Sequence, residues 1–599
     1  MLLLLLLLFA CNPRPDSPEL CSGETTVEIV DGDVVAERAG CMSMRLTPQL
    51  IGDDLLDVEL VVNDGVITPI VSGSGSFEGL VLRGPQELYG SSETVLWRQG
   101  YQSWAWSGVT ALEPLEWSDQ GWPVTEGDGD AFSLAFEHPA TSWWGGLIGK
   151  ADGASVLLGA LSAERTKIYT AFSDEEAVVV WGGRGENITV SNANDLVLDP
   201  IGIFAGPDAH DLHVEWAESL VVEPRPLPTE LPVGWATWYT FYSDLQGDEV
   251  SSNLAFAKQM RDDGAPLTLF QIDDGYQKLW GQWEANDEFP QGLDGLAAEI
   301  EAAGFVPGLW MAPFYVHRDA PTYIDNPDWW VLDSAGKELA FNNVGTGDYA
   351  ILDVTHPDAA AWLRGVVETR RAEGWAYFKF DFLYASAQEG VRNEDVTGIE
   401  AYHIGMQILR EASGDAWLLA CGAPLLPSVG YAESYRSGAD IAFEFNHGPE
   451  LGFMRSEGRS TAARAWANGV WWWNDPDQVL TREPFNAEQA RGAIVNQAVS
   501  GGPWLLGDDL PTLPDDRLEL TLLPAALSTR GQRVRPLNPL SHVSGFDPGP
   551  TVEIAQQDDD VPPVWRFEDG TEVMINYNPF PIEVDGVALQ PGEGAGFWP

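Results

Sequence analysis

The sequence predicts a multidomain chain: an N-terminal all-β sandwich, a central (β/α)8 barrel and a small C-terminal antiparallel β-sandwich. Three observations predict it. At 599 residues the chain is too long for a single core and calls for roughly two to four domains. From about residue 229, buried strand-like runs alternate with amphipathic stretches, whereas the segments on either side show short β runs without helical periodicity. Midway along the alternating region, the apolar run Trp375-Ala376-Tyr377-Phe378-Lys379-Phe380-Asp381-Phe382 carries a cation and a carboxylate two residues apart. Positions i and i+2 of a strand share a face, so one buried strand presents both charges together.

Residues 1–20 read as a leader and tether. Met1 is followed by seven Leu, then Phe9, Ala10 and Cys11. This is an apolar segment of signal-peptide length, too short to span a bilayer as an ordinary helix. Leu8-Phe9-Ala10-Cys11 resembles a bacterial lipobox with Cys11 as the lipidated residue. The expectation is an exported lipoprotein, periplasmic or on the outer-membrane surface, with plain secretion as the alternative. Cys21 and Cys41 are close enough in sequence to pair in an oxidising compartment, and Cys421 stands alone far downstream. With no CxxC or HExxH motif, neither a metal nor another cofactor is expected.

The N-terminal sandwich is assigned to residues 21–225. Its strands include Thr26–Val30, Leu56–Val62, Ser155–Leu161, Ala177–Trp181 and Asp195–Ile203. Within it, Trp97-Arg98-Gln99-Gly100-Tyr101-Gln102-Ser103-Trp104-Ala105-Trp106-Ser107-Gly108 reads either as a loop leaning on a neighbouring sugar site or as a core corner. Glu223 to Pro228 is a Pro-rich linker.

The barrel is assigned to residues 229–530. Its eight strands are Val233–Trp238, Leu267–Ile272, Val306–Ala312, Ala376–Phe382, Ala416–Ala420, Ile441–Phe445, Val470–Trp473 and Pro503–Leu506. Ser251–Asp262, Gly292–Ala303, Asp358–Ala372 and Ile399–Ala412 are helical intervals. In such a barrel the chemistry gathers at the C-terminal strand ends. Those ends carry Trp235 to Tyr239, Asp273-Asp274-Gly275, Trp310, Lys379 with Asp381, and Cys421-Gly422. Arg436 to Asp440 precedes the sixth strand as drawn, which fits the rim rule least well. Residues 531–599 return to β character, with strands at Thr551–Ile554, Val564–Phe567 and Glu572–Tyr577.

Composition narrows the function. Against 32 Lys and Arg stand 91 Asp and Glu, a formal net charge of −59. Such a surface repels nucleic acid and anionic membranes, so no nucleic-acid partner is expected and membrane contact is confined to the N-terminal lipid. The carboxylates are dispersed, as suits a salty habitat in which ions screen self-repulsion. The 26 Trp and 15 Tyr suit stacking on sugars. A rim with several carboxylates, Trp residues, a Lys and an Arg, without a metal signature, suits glycoside hydrolysis. Asp381 is placed to act on one face of the sugar, held ionised by Lys379, and a loop carboxylate such as Asp440 to protonate the leaving oxygen. Asp273 and Asp274 are read as acceptors for sugar hydroxyls, with a simple turn after the second strand as the plainer reading.

The series Gly234-Trp235, Gln271-Ile272-Asp273-Asp274-Gly275, Gly308-Leu309-Trp310, Leu352 to Pro357, Phe378-Lys379-Phe380-Asp381, Arg436 to Asp440 and Trp472 to Asp477 resembles glycoside hydrolase family 36, the melibiase-like α-galactosidases. The resemblance covers about Gly234 to Leu510, and Gly100 to Trp104 resembles the β-domain loop that reaches the active site in such enzymes. It implies a retaining exo-acting hydrolase of oligosaccharide or polysaccharide α-galactosides. By that resemblance Asp381 is the nucleophile and Asp440 the acid/base. Asp273, Asp274 and Lys379 bind galactose hydroxyls, Arg436 lines the pocket, Trp310 and Trp235 are aromatic walls, Trp104 covers the site, and Cys421 with Gly422 accommodates the 2-OH. Ala312-Pro313 and Cys421-Gly422-Ala423-Pro424 depart from the larger members' pattern, which leaves N-acetylgalactosaminides open. Galactosyl transfer, or a glycan-binding surface lipoprotein without catalysis, are the alternatives.

Overall fold

Strand alternation builds the N-terminal region. Met42–Gly52, for example, turns Met42, Met44 and Leu46 inward and Arg45 and Thr47 outward. In the computed structural model two eight-stranded antiparallel sheets form here. One runs from Thr26–Val30 through Met42–Gly52, Gly75–Leu88 and Glu176–Gly182 to Thr141–Trp143; the other includes Val66–Gly73, Ile201–Gly206, Ser155–Ala160, Gly145–Lys150 and Thr94–Arg98. Cys21 and Cys41 form a disulfide beside the first sheet. The expected strand Asp195–Ile203 is two strands, Leu196–Val197 and Ile201–Gly206, because Asp199-Pro200 interrupts it.

The structure describes residues 21–597, apart from 113, 116, 119–120, 124–139, 184, 344–346, 442–456, 538, 541–563, 578–580 and 585. The leader with Cys11, the expected strand Thr551–Ile554 and residues 442–445 of the expected sixth strand lie outside the described residues.

Eight parallel strand positions follow in chain order: Val233–Ala236, Leu269–Ile272, Val306–Met311, Tyr377–Phe380, Trp417–Ala420, Ser434–Arg436, the seventh position, and Trp504–Leu506. The seventh is a strand broken in two. Trp473–Asp475 pairs with the sixth strand, Gln478–Val479 pairs with the eighth, and the eighth pairs with the first, so the ring closes. This corrects the sixth strand, which is Ser434–Arg436 instead of Ile441–Phe445. Only Tyr435 of those three residues is apolar, so the segment carried no hydrophobic run to detect. Arg436 therefore ends a strand, and the rim rule holds there too.

Helices Gly247–Asp262, Gly292–Ala302, Pro357–Ala372 and Gly398–Ser413 pack outside the ring. Thr397 starts the last of these with a reciprocal cap to Glu400. The N-terminal sheets are fastened to this layer. Trp97 donates to Ala463 O at 3.1 Å, Arg165 pairs with Glu400 at 2.8 Å, and the buried Lys167 ammonium sits between Glu186 and Glu389.

At the C-terminal end, Val534–Pro536, Val564–Phe567, Glu572–Ile575 and Gly594–Ala595 form a four-stranded antiparallel sheet against helix Ala487–Ser500. A Cβ at Gly492 would lie 1.8 Å from Gly592 O, so the helix meets this sheet through a glycine.

Candidate active site

Alternation along the barrel strands decides which side chains face inward. Leu269, Tyr377, Leu419 and Leu505 form a separate inner cluster. The residues two further along, Gln271, Lys379 and Cys421, continue the same face toward the C-terminal rim. Each is buried. Beyond them stand Asp273 and Asp381.

Lys379 Nζ lies 2.9 Å from Asp273 Oδ2, which also accepts from Gln271 at 2.7 Å. The ammonium expected beside Asp381 is thus bonded to Asp273 instead, because the second and fourth strands bring the two side chains together across the barrel interior. Burial works against the charge on Lys379, yet the carboxylates of Asp273 and Asp381 outweigh it and hold the ammonium well above its ordinary range. For Asp273, burial raises the proton affinity while Lys379 opposes that rise.

Asp381 has a different set of partners. Trp310 Nε1 donates to its Oδ2 at 2.9 Å, and the Phe382 amide donates to its Oδ1 at 2.8 Å. Phe382 adopts a left-handed φ of 55°, an unusual conformation for a bulky side chain. Local strain of this kind persists where surrounding structure imposes it, and it gathers at functional sites. Here both carboxylate oxygens of Asp381 are held in place.

Asp274 has partners of its own. Trp280 Nε1 donates to its Oδ1 at 3.1 Å and Gln277 Nε2 donates to the same oxygen. Burial pushes Asp274 up to about 6 against those two bonds. The adjacent carboxylates thus hold different partners, Lys379 and Gln271 for Asp273, Gln277 and Trp280 for Asp274.

Arg436 ends the sixth strand with its guanidinium buried. Its Nη2 lies 2.9 Å from Asp440 Oδ1 and also contacts Asp477 Oδ2, which in turn accepts from the Tyr239 hydroxyl. Cys421 Sγ accepts from Trp104 Nε1 at 3.3 Å and from Arg436 Nη1 at 3.7 Å. Burial pushes this thiol well above its ordinary range, and the charges of Asp381 and Asp440 push in the same direction. Asp381 and Asp440 therefore both act on Cys421 from this rim. The next residue, Gly422, has φ 57°; a Cβ there would lie 3.0 Å from Phe382 Cα and 3.2 Å from the Trp104 ring.

Trp104 comes from the N-terminal sheets. Its loop joins strands Thr94–Arg98 and Gly108–Ala111 and docks on the barrel, with Ser103 N donating to Ala423 O and Leu425 N to Tyr101 O, both at 3.0 Å. The Trp104 ring meets Phe382 and Tyr384 edge-on. Within the same segment Trp97 and Tyr101 are buried in the core, Tyr101 against Trp143 and Trp144, so the segment is a core corner whose Trp104 also reaches the barrel.

The expected site residues Asp273, Asp274, Trp310, Lys379, Asp381, Cys421, Gly422, Arg436, Asp440 and Trp104 converge. Trp235 does not. It is fully buried against Phe270 and Phe241, and its indole donates to Asp508 O at 2.7 Å. It occupies the opposite strand parity, facing the surrounding layer, so its assignment as an aromatic wall is corrected. The aromatic neighbours of the rim are instead Trp280, whose ring lies 5.3 Å from Trp310 and 5.0 Å from Phe382, and Trp104. Tyr239 and Asp477 lie in rim segments read from the sequence, Trp235 to Tyr239 and Trp472 to Asp477, without an assigned role; Trp280 and Gln277 lie in no such segment. Trp280 and Gln277 follow Asp-Asp-Gly in a short hairpin, Gln277–Leu279 with Gln282–Ala285, so a loop after the second strand was the available signal. Among the described residues, no group of three or more His, Cys, Asp or Glu side chains is arranged to hold a metal ion.

A family model described as melibiase matches residues 209–406. The chain is 28% identical over 189 residues to the mouse (Mus musculus) myogenesis-regulating glycosidase, covering 30% of this chain and 25% of that protein. It is 28% identical over 108 residues to α-galactosidase AgaA of Geobacillus stearothermophilus, covering 17% and 14% respectively. The matches thus span a quarter or less of these curated relatives. Over nearly the whole chain the structure resembles TtGalA, an α-galactosidase from Thermus thermophilus in complex with p-nitrophenyl α-D-galactopyranoside. The TM-score is 0.63 at 25% identity, covering 93% of this chain and 100% of that one.

Proposed function

From a chain that is a melibiase-like member of glycoside hydrolase family 36, we propose a retaining exo-α-galactosidase that removes terminal α-galactosyl residues by double displacement. Asp381 attacks the anomeric carbon while the bond to the aglycone oxygen breaks and Asp440 delivers its proton to that oxygen. Water then attacks the glycosyl-enzyme, Asp440 takes up the water's proton, and Asp381 leaves as a carboxylate. One observation carries the assignment: Asp381, with both oxygens held, follows the fourth strand, and Asp440, bound to Arg436, follows the sixth, with Cys421 at the end of the fifth between them and in contact with Arg436. Asp273, Asp274 and Lys379 supply acceptors and a donor for sugar hydroxyls.

Galactose is proposed over N-acetylgalactosamine. If Cys421-Gly422 marks the 2-position, as the family resemblance implies, the Trp104 indole against Cys421 and beside Gly422 crowds an acetamido group. The substrate class is supported by the aryl α-galactoside bound to the Thermus relative. Export is part of the same proposal, supported by the Cys21–Cys41 disulfide. No helix among the described residues is long and apolar enough to cross a membrane.

The test is Asp381→Gly assayed on nitrophenyl α-galactoside, with nitrophenyl α-N-acetylgalactosaminide and α-glucoside alongside the native enzyme. Hydrolysis should vanish and azide should restore turnover, yielding the β-galactosyl azide. Undiminished activity would remove Asp381 from the role, and a faster native rate on either other sugar would replace the substrate.

A further inference from the structure

Arg436 serves two carboxylates at once. Its Nη2 reaches Asp440 Oδ1 at 2.9 Å and Ala439 O at 3.1 Å, and it also contacts Asp477 Oδ2. The side chains of Arg436 and Asp477 are 1% and 3% exposed, whereas that of Asp440 is 26% exposed. Asp477 sits in the break of the seventh strand, between Trp473–Asp475 and Gln478–Val479, with a left-handed φ of 75°. Its Oδ2 also accepts from the Tyr239 hydroxyl and from the Ile441 amide at 3.4 Å, the amide that directly follows Asp440.

The arrangement has an electrostatic consequence. A guanidinium facing Asp440 alone would favour the anion and make Asp440 release its proton too readily to protonate a leaving oxygen. A second, buried carboxylate on the same guanidinium cancels that pull and adds repulsion of its own. We propose that Asp477 is a positioning residue that sets the proton affinity of Asp440 by sharing Arg436 with it. This rests on Asp440 being the acid/base.

The other groups facing the pair fit this assignment. Tyr239 and Tyr242, beyond the first strand, feel both carboxylates. Lys379 and Asp475 act on Asp477, Glu457 lies behind it near Arg436, and Cys421 faces Asp440. Burial raises Asp477 to about 7, with Arg436 pulling it down and Asp440 pushing it up.

Asp477→Asn tests it through the pH dependence of kcat/KM on an α-galactoside with a sugar aglycone, which needs a proton donor, and on a nitrophenyl α-galactoside, which needs one far less. The alkaline limb with the sugar aglycone should move to lower pH by about one unit, with a much smaller change for the nitrophenyl substrate. Asp477→Glu should return the limb toward the native position. A uniform loss at all pH values with the limb unmoved would overturn the proposal and leave Asp477 a structural support. Should Asp477→Asn fail to fold, Tyr239→Phe weakens the anion of Asp477 without deleting it, and a limb that stays in place would equally overturn the idea. Carbon-13 NMR titration of aspartate carboxyls, with Asp440 assigned through Asp440→Asn, reads the same quantity without turnover. A midpoint for Asp440 that does not fall in Asp477→Asn overturns the proposal even if no glycoside proves to be a substrate, and a fall upholds it independently of the functional reading.

Discussion

Lys379 and Asp273 stand on the fourth strand and just past the second, yet their charged atoms lie 2.9 Å apart, leaving Asp381 to the indole of Trp310. The pair is almost wholly buried, with side chains 6% and 2% exposed. Removing one member leaves the other charged and unpaired, which costs about 3–5 kcal/mol in comparable buried pairs. Lys379→Met should therefore be strongly destabilised in chemical denaturation, and Lys379→Met with Asp273→Asn should recover much of the loss. Strictly additive effects would mean that the two residues are not coupled.

Asp274 predicts a pH dependence of stability. Burial raises it from the usual 3.8 to about 6, so between those values the folded chain holds a proton that the unfolded chain has released. The stability from that proton is complete below about pH 4 and is lost as pH rises through about 6, by about 3 kcal/mol in all. Asp274→Asn removes the titration. Across this window the native protein should lose stability relative to the variant, and parallel denaturation curves at the acid and neutral ends would refute the assignment.

Trp104 predicts a change in selectivity. Its indole donates to Cys421 and its ring lies over Gly422. Trp104→Ala opens that space, so the ratio of kcat/KM for nitrophenyl α-N-acetylgalactosaminide to that for the α-galactoside should rise. Equal losses on both sugars would show that the indole shapes the site without reading the 2-substituent.

The net charge of −59 predicts a response to salt. With 91 Asp and Glu against 32 Lys and Arg, the net interaction among surface charges is repulsive and open to screening. Raising salt from about 0.01 M to about 1 M shortens the screening length from about 30 Å to about 3 Å. The melting temperature should climb over that range, and a flat response would argue against adaptation to a salty habitat.

Much of this was legible in the amino-acid order. Buried runs of four to six residues ending in Asp273-Asp274, Trp310, Lys379 and Cys421 are local signals, and the rule that barrel chemistry gathers at C-terminal strand ends turned them into a site. The sixth strand escaped because Ser434-Tyr435-Arg436 has a single apolar residue to signal it.

By itself, then, the sequence determined most of the barrel strands and most of the charged groups at the rim, since hydrophobic periodicity and residue type are local properties. The tertiary structure decided the partners. Trp235 turned outward because strand parity relative to the barrel interior depends on how the whole ring closes, and a one-residue slip reverses every side chain. Lys379 chose Asp273 over Asp381, and Arg436, four residues from Asp440, came to share Asp477, because the tertiary structure sets the second strand near the fourth and the seventh beside the sixth.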